Sequence, residues 1–246
     1  MTSPNPVPAT HFLDVRLPEP CTTCGIRSIS VCSAISDSDM GRLAEFALST
    51  DIAAGRTFIT EQDKATDFFN VTAGTVRLFK LLPDGRRQIT GFAGPGDFLG
   101  LAVTSSYSFG AEAVTDVRIC RFSRPRMRRL LHDFPALESR LLEVASRELV
   151  HAQEQMLLLG RKTARERLAS FLVSQAREGR GGTLPRPRLH LAMTREDIAD
   201  YLGLTIETVS RSFSKLKTDR LIAIPSPPEI VILNMAGLET IAEAGA

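Results

Sequence analysis

Long uncharged apolar runs are missing from this 246-residue sequence, and none reaches the ~18 residues that a membrane span requires. Its beginning, MTSPNPVPATHFLDVRLPEP, has neither the basic stretch nor the apolar core that opens a secretory signal. A cytoplasmic location with no membrane partner is therefore expected. Cysteine is scarce as well, with four in the chain, and in a compartment that keeps thiols reduced a permanent disulfide framework is not expected. There is no nucleophile elbow, no P-loop and no carboxylate pair with a visible role, so the chain is not expected to be an enzyme. One more absence is local: from Gln88 to Val117 there is no Lys or Arg.

What is present divides along the chain. The length allows two compact domains with cores of their own. The net charge of +2 is unevenly spread, with 13 basic against 7 acidic residues between Arg161 and Arg220, a balance that suits a polyanionic partner or a solvated arginine-rich surface. From Asp51 to Phe122 short β-prone runs alternate with glycine turns, and Asp84-Gly85 between two such runs marks a hairpin. This predicts an antiparallel β-barrel or roll. A long helix follows, in which Leu142, Ala145, Leu149, Ala152, Met156 and Leu159 recur at spacings of three and four and form a coiled-coil seam. Leu137, Leu141 and Val144 make a second apolar stripe that can pack on the roll. Two apolar faces predict a homodimer, with a helix buried inside one monomer as the alternative. Gly160 is expected to break the helix, and Thr163 with Glu166 to cap the next one. GRGGTLPRPR reads as a loop.

MTREDIADYLGLTIETVSRSFSKLKTDRLI then reads as a helix-turn-helix. Thr194 caps its first helix with Asp197 in the capping-box position; Ile198, Ala199 and Leu202 face inward; Gly203 turns the chain. Thr205 caps a second helix whose Val209, Phe213 and Leu216 face inward. That leaves Glu207, Ser210 and Arg211 outward near its N-terminus, where base-reading side chains of this motif sit on double-stranded DNA. LIAIPSPPEIVILN looks like the hairpin of a wing. The fold class is α+β: an N-terminal arm (1–35), a β-roll (36–135), a dimerisation helix (136–160) and a winged helix-turn-helix (161–246). A helical hairpin with no DNA role is the alternative to this last assignment.

The cysteines stand apart from all this. CTTCGIRSISVC holds Cys21, Cys24 and Cys32, and Cys120 lies far downstream. Grouped thiols in a reducing compartment point to metal or redox chemistry, and a four-cysteine zinc site and an oxidant-responsive thiol pair both use these residues. Cys120 by itself reads as a core residue.

RRQITGFAGPGDFLGL, MLLLGRKTARERLASF and MTREDIADYLGLTIETVSR resemble the CRP/FNR family of bacterial transcription regulators, in particular its oxygen-sensing fumarate and nitrate reduction branch. The resemblance runs from Cys21 to the wing. It implies a cyclic-nucleotide-binding-like roll, contacts with RNA polymerase through roll loops such as the one near Asp84, and a palindrome with TTGAT-like half-sites. It also implies that Cys21, Cys24, Cys32 and Cys120 together ligate a [4Fe-4S] cluster, a task suited to soft thiolates. The C-x2-C-x7-C spacing is wider than in the best-known member and resembles a nitrogen-fixation and anaerobiosis subgroup. Cyclic-nucleotide members hold phosphate with an Arg-Ser pair, because a buried anion needs a cationic, multi-donor partner. The matching positions here are Tyr107 and Ser108, so no cyclic nucleotide is expected.

Overall fold

The computed structural model describes residues 15–16, 21, 24–101, 105–177 and 187–244. Among the described residues, nine strands build a roll of two antiparallel sheets: β1 (Val15–Arg16), β2 (Leu48–Ile52), β3 (Thr57–Ile59), β4 (Asp67–Ala73), β5 (Val76–Leu81), β6 (Arg87–Ala93), β7 (Phe98–Leu99), β8 (Gly110–Ala113) and β9 (Val117–Ser123). One sheet runs β1-β2-β9-β4-β7 and the other β3-β8-β5-β6. The Asp84-Gly85 turn joins β5 to β6, with Gly85 at φ +83°, a value that suits glycine. Between the sheets Ile59, Val71, Val76, Ala111 and Ile119 are at most 1% exposed, because alternate side chains of each strand point into one interior.

Before β2 the chain makes a 3-10 turn at Val31–Ala34 and a short helix, α1 (Met40–Ala44). Their Val31, Ile35, Met40 and Leu43 pack with Phe98, Phe122, Leu137 and Leu141 in an apolar cluster outside the roll interior. After β9 come α2 (Arg124–Asp133) and α3 (Pro135–Arg161). Leu137 and Leu141 of α3 are buried in that cluster, with Val144 against its edge.

The expected break at Gly160 is not where α3 ends. The helix continues to Arg161 and stops at Lys162, which is extended at φ −85°, ψ 144°. A single glycine costs a helix only ~1 kcal/mol, and here the next helix sets the end: the Glu166 carboxylate accepts the Thr163 N–H at 2.8 Å and completes a capping box. That next helix is α4 (Ala164–Gln175). Most of GRGGTLPRPR lies outside the described residues, but its last residue, Arg188, begins a strand, because Arg188–His190 (β10) pairs antiparallel with a wing strand.

The C-terminal part continues with α5 (Arg195–Leu202), α6 (Ile206–Thr218), β11 (Ile222–Ala223), β12 (Glu229–Ile232) and α7 (Met235–Glu243). The strand order is β10-β12-β11. A second apolar core, with Leu168, Leu172, Ile198, Leu202, Val209, Leu216 and Leu238 at 0% exposure, holds these elements together. Among the described residues no helix is long and apolar enough to cross a membrane.

Candidate DNA-reading surface and cysteine site

Local chemistry builds the helix-turn-helix. Thr194 caps α5 by accepting the Asp197 N–H at 3.1 Å, and the Asp197 carboxylate returns to the Thr194 N–H at 3.0 Å. Gly203 ends α5 in the left-handed region at φ +62°. A side chain there would be strained and would meet Leu159 at 3.2 Å, so the last seam residue of α3 packs on this turn. Thr205 then caps α6 by accepting the Thr208 N–H at 3.3 Å.

Val209, Phe213 and Leu216 point into the core, while Glu207, Ser210 and Arg211 are exposed on the opposite face. The Arg211 guanidinium donates to the Thr208 hydroxyl at 3.3 Å, which leaves most of its donors free to meet a base edge. The carboxyl of Glu207 lies below the usual carboxylate range, held by its own amide, the Thr205 hydroxyl and nearby Arg211. It is therefore an ionised acceptor at neutral pH. Two features escaped the sequence reading. Ile206, 44% exposed, opens the same face, and Arg195 lies over the Phe213 ring at 3.4 Å, which braces α5 against α6.

Along α3 all six seam residues are exposed, Leu142 at 69%, Leu149 at 60%, Met156 at 68% and Leu159 at 37% among them. This apolar stripe faces away from the roll.

In the roll, Tyr107 is 6% exposed and Ser108 is exposed. The Tyr107 hydroxyl donates to the Asp67 carbonyl at 2.9 Å and accepts the Asp67 N–H at 3.1 Å, and its ring lies 6.4 Å from that of Phe69. The Tyr107 hydroxyl is thus satisfied by the Asp67 backbone.

Three of the four cysteines share one apolar cluster. Cys21, Cys24, Cys32 and Cys120 are all free and partly buried, and Cys21, Cys32 and Cys120 pack against the cluster around Phe122 and Leu137. Desolvation pushes the Cys120 thiol up to about 12, and the other three cysteines add to the rise. Cys32 is pushed up to about 11, mainly by burial, and Cys21 is raised for the same reason. Among the described residues no three His, Cys, Asp or Glu side chains are arranged to hold a metal ion as they stand. The arm is anchored nearby: Arg27 donates to the Ile35 carbonyl at 2.9 Å, and the Ile29 side chain covers Gly96, which at φ +99° leaves it room.

Comparison with known proteins follows the same division. Residues 50–134 match the cyclic nucleotide-binding domain and residues 166–241 the Crp-like helix-turn-helix domain. The nitrogen fixation regulation protein FixK of Bradyrhizobium diazoefficiens is 42% identical over 229 residues, 91% of this chain and 94% of that protein. The chain belongs to the CRP/FNR family of transcription regulators. The transcriptional activator protein FnrL of Cereibacter sphaeroides is 37% identical over 229 residues, 92% of each chain. The structure of FixK2 from Bradyrhizobium japonicum superposes with a TM-score of 0.75 at 36% identity, over 81% of this chain and 99% of that one. In this CRP/FNR chain the DNA-binding element is the helix-turn-helix of α5 and α6.

The resemblance to the oxygen-sensing branch implies a [4Fe-4S] cluster, and the donor type fits: four free thiols from two distant segments of the chain. Asn70 lies directly across from Cys120 in the sheet and is 1% exposed.

Proposed function

We propose that this chain is an oxygen-responsive transcription activator that binds a palindrome of TTGAT-like half-sites as a homodimer, with Cys21, Cys24, Cys32 and Cys120 as ligands of a [4Fe-4S] cluster. The observation that supports the reading is that Cys21 and Cys32 of the arm and Cys120 of β9 pack against the apolar cluster that also contains the start of α3, with Cys24 close enough to influence Cys120. The cluster, when bound, supplies an oxygen-labile tie between the arm and β9.

The chain's own residues transmit the rest. Val31 and Ile35, on either side of the Cys32 turn, are 2% exposed against Leu137 and Leu141, so the placement of the arm sets the placement of α3. The seam begins one residue later, at Leu142. Ala145 and Ala152 bury little area there, so the dimer is marginal, and a few kcal/mol at the arm is enough to move its population. Dimerisation brings two α6 helices about one DNA turn apart. Arg211 then donates to guanine O6 and N7, and Glu207 accepts from a cytosine amino group, with Ser210 on a neighbouring base. The exposed turn at Asp84 is the candidate contact with RNA polymerase.

The deciding experiment is iron and acid-labile sulfide analysis of protein purified without oxygen, with its visible spectrum before and after air. One cluster per subunit is expected, lost in air together with dimer and palindrome binding by sedimentation and DNA titration. Stoichiometric zinc without sulfide, or full loading after all four Cys→Ser changes, would overturn the sensor assignment. Ala152→Leu, which strengthens the seam, is expected to leave part of the DNA binding intact in air.

A further inference from the structure

The second sheet of the roll holds the helix-turn-helix through a network of partly buried charges centred on the buried Asp197. Arg77 on β5 donates from Nη1 to Asp197 Oδ1 at 2.7 Å and from Nη2 to Glu112 Oε1 at 2.5 Å. Asp197 is 2% exposed, and its other oxygen, Oδ2, accepts the N–H and the hydroxyl of Thr194 at 3.0 and 2.8 Å. One carboxylate therefore both caps α5 and binds the roll. Arg87 on β6 lies 3.6 Å from both Asp197 Oδ1 and Asp200 Oδ2, and 3.8 Å from Glu112 Oε2.

Backbone bonds reinforce the charges. Asp200 Oδ1 accepts the Ile89 N–H at 3.1 Å, and the Asp200 carbonyl accepts from Gln88 Nε2 at 2.5 Å. Beside them the Phe92 ring of β6 lies 5.4 Å from Tyr201 and 6.3 Å from Phe171. Directional bonds of this kind select one placement, where an apolar patch alone tolerates sliding. Meanwhile Glu207, Ser210 and Arg211 remain exposed, and so does the seam on α3. The docked domain is thus compatible with dimerisation and with reading DNA.

We infer that Arg77 and Arg87 are positioning residues for DNA reading. Through Asp197 and Asp200 they hold α5, and with it α6, at a fixed place on the roll, so that the two heads of a dimer stand at one defined separation. The inference rests on the helix-turn-helix reading DNA as a dimer, but not on the nature of the sensor. Without the two arginines each head samples several placements, and apparent affinity falls with the fraction of dimers whose heads are in register. A single half-site does not feel this penalty.

The test uses the full-length protein without oxygen, in wild-type form, as Arg77→Ala with Arg87→Ala, and as Asp200→Asn. The last removes a docking charge without touching the α5 cap. Each is titrated with a TTGAT palindrome, with palindromes whose spacer is changed by one and two base pairs, and with an isolated half-site. Hydrogen exchange of β6 and α5 is followed without DNA, and circular dichroism verifies folding. Expected are faster exchange in β6 and α5, about tenfold weaker palindrome binding, a flattened spacer preference, and half-site binding within about twofold of wild type. Unchanged exchange, tighter palindrome binding, or an intact spacer preference despite faster exchange would overturn the inference. Equal losses on palindrome and half-site would overturn it too, since they mark a damaged head. Wild-type protein that binds no palindrome sinks the dimeric DNA-binding premise, and that result appears before any substitution is made.

Discussion

The two sheets of the roll face different tasks with different chemistry. The sheet containing β9 and β4 supplies Cys120 to an apolar cluster that it shares with Cys21 and Cys32 of the arm and with α3. The sheet containing β5, β6 and β8 gathers two arginines and, with α5, three carboxylates at the DNA-binding domain. The first contact is held mostly by non-directional burial, so it loosens by degrees when the arm is released. The second is directional and centred on the buried Asp197, so removing its arginine partners strands that one charge. A labile joint suits a signal input and a rigid one suits a spacing device.

That contrast can be broken or sharpened by substitution. The largest effect is expected for Phe122→Ala, because this ring is 2% exposed in the cluster beneath the arm. A loss of about 3–5 kcal/mol in urea unfolding is expected, with faster hydrogen exchange over residues 26–35 and normal protection in α5. Simultaneous loss at α5 would show that the two sheets do not act separately. Next comes Phe92→Ala on the other sheet. Its half-buried ring bridges to Tyr201 and Phe171, and about 2–3 kcal/mol is expected by the same unfolding measurement, with exchange rising in α5 and the arm untouched.

Arg211→Ala tests the surface that both sheets serve. It is expected to cost about 1–3 kcal/mol at one base pair and to relax the preference there, read by titration against all four bases at that position. Equal losses on specific and random DNA would contradict its role. Thr205→Ala removes the α6 cap, and about 1 kcal/mol of stability is expected to go with it in thermal unfolding, concentrated in the C-terminal part. The smallest effect belongs to the solvent-exposed pair Arg118–Asp51 at 2.8 Å. Charge removal by Asp51→Asn is expected to change stability by roughly 0–1 kcal/mol, falling further in high salt.

How much of this was legible in the sequence varies with the distance between interacting residues. Thr194, Asp197, Gly203 and Thr205 announce the helix-turn-helix because a cap or a turn is satisfied within a few residues. The seam on α3 is equally local, since a helix repeats its faces every few residues. The end of α3 was misplaced at Gly160 because a flexible residue marks where a helix is weak, and the capping box at Thr163 marks where the next one starts. The bonds of Tyr107 to Asp67, 40 residues away, were not legible.

By itself the sequence determined the α+β class, the roll, the long helix and the DNA-reading face, along with the types of donor available at Cys21, Cys24, Cys32 and Cys120. Their link was suggested there by family resemblance alone, because nothing in the spacing of an arm relates it to a strand near residue 120. Only the tertiary structure brought Cys21, Cys32 and Cys120 to one apolar wall. It alone placed Arg77 against Asp197, 120 residues away, and gave that aspartate a second role beyond its cap. The physical reason is common to both cases. Local hydrogen bonding and periodicity are written in neighbouring residues, whereas contacts between distant segments depend on how whole sheets and helices pack, and many sequences with the same local pattern bring different residues together.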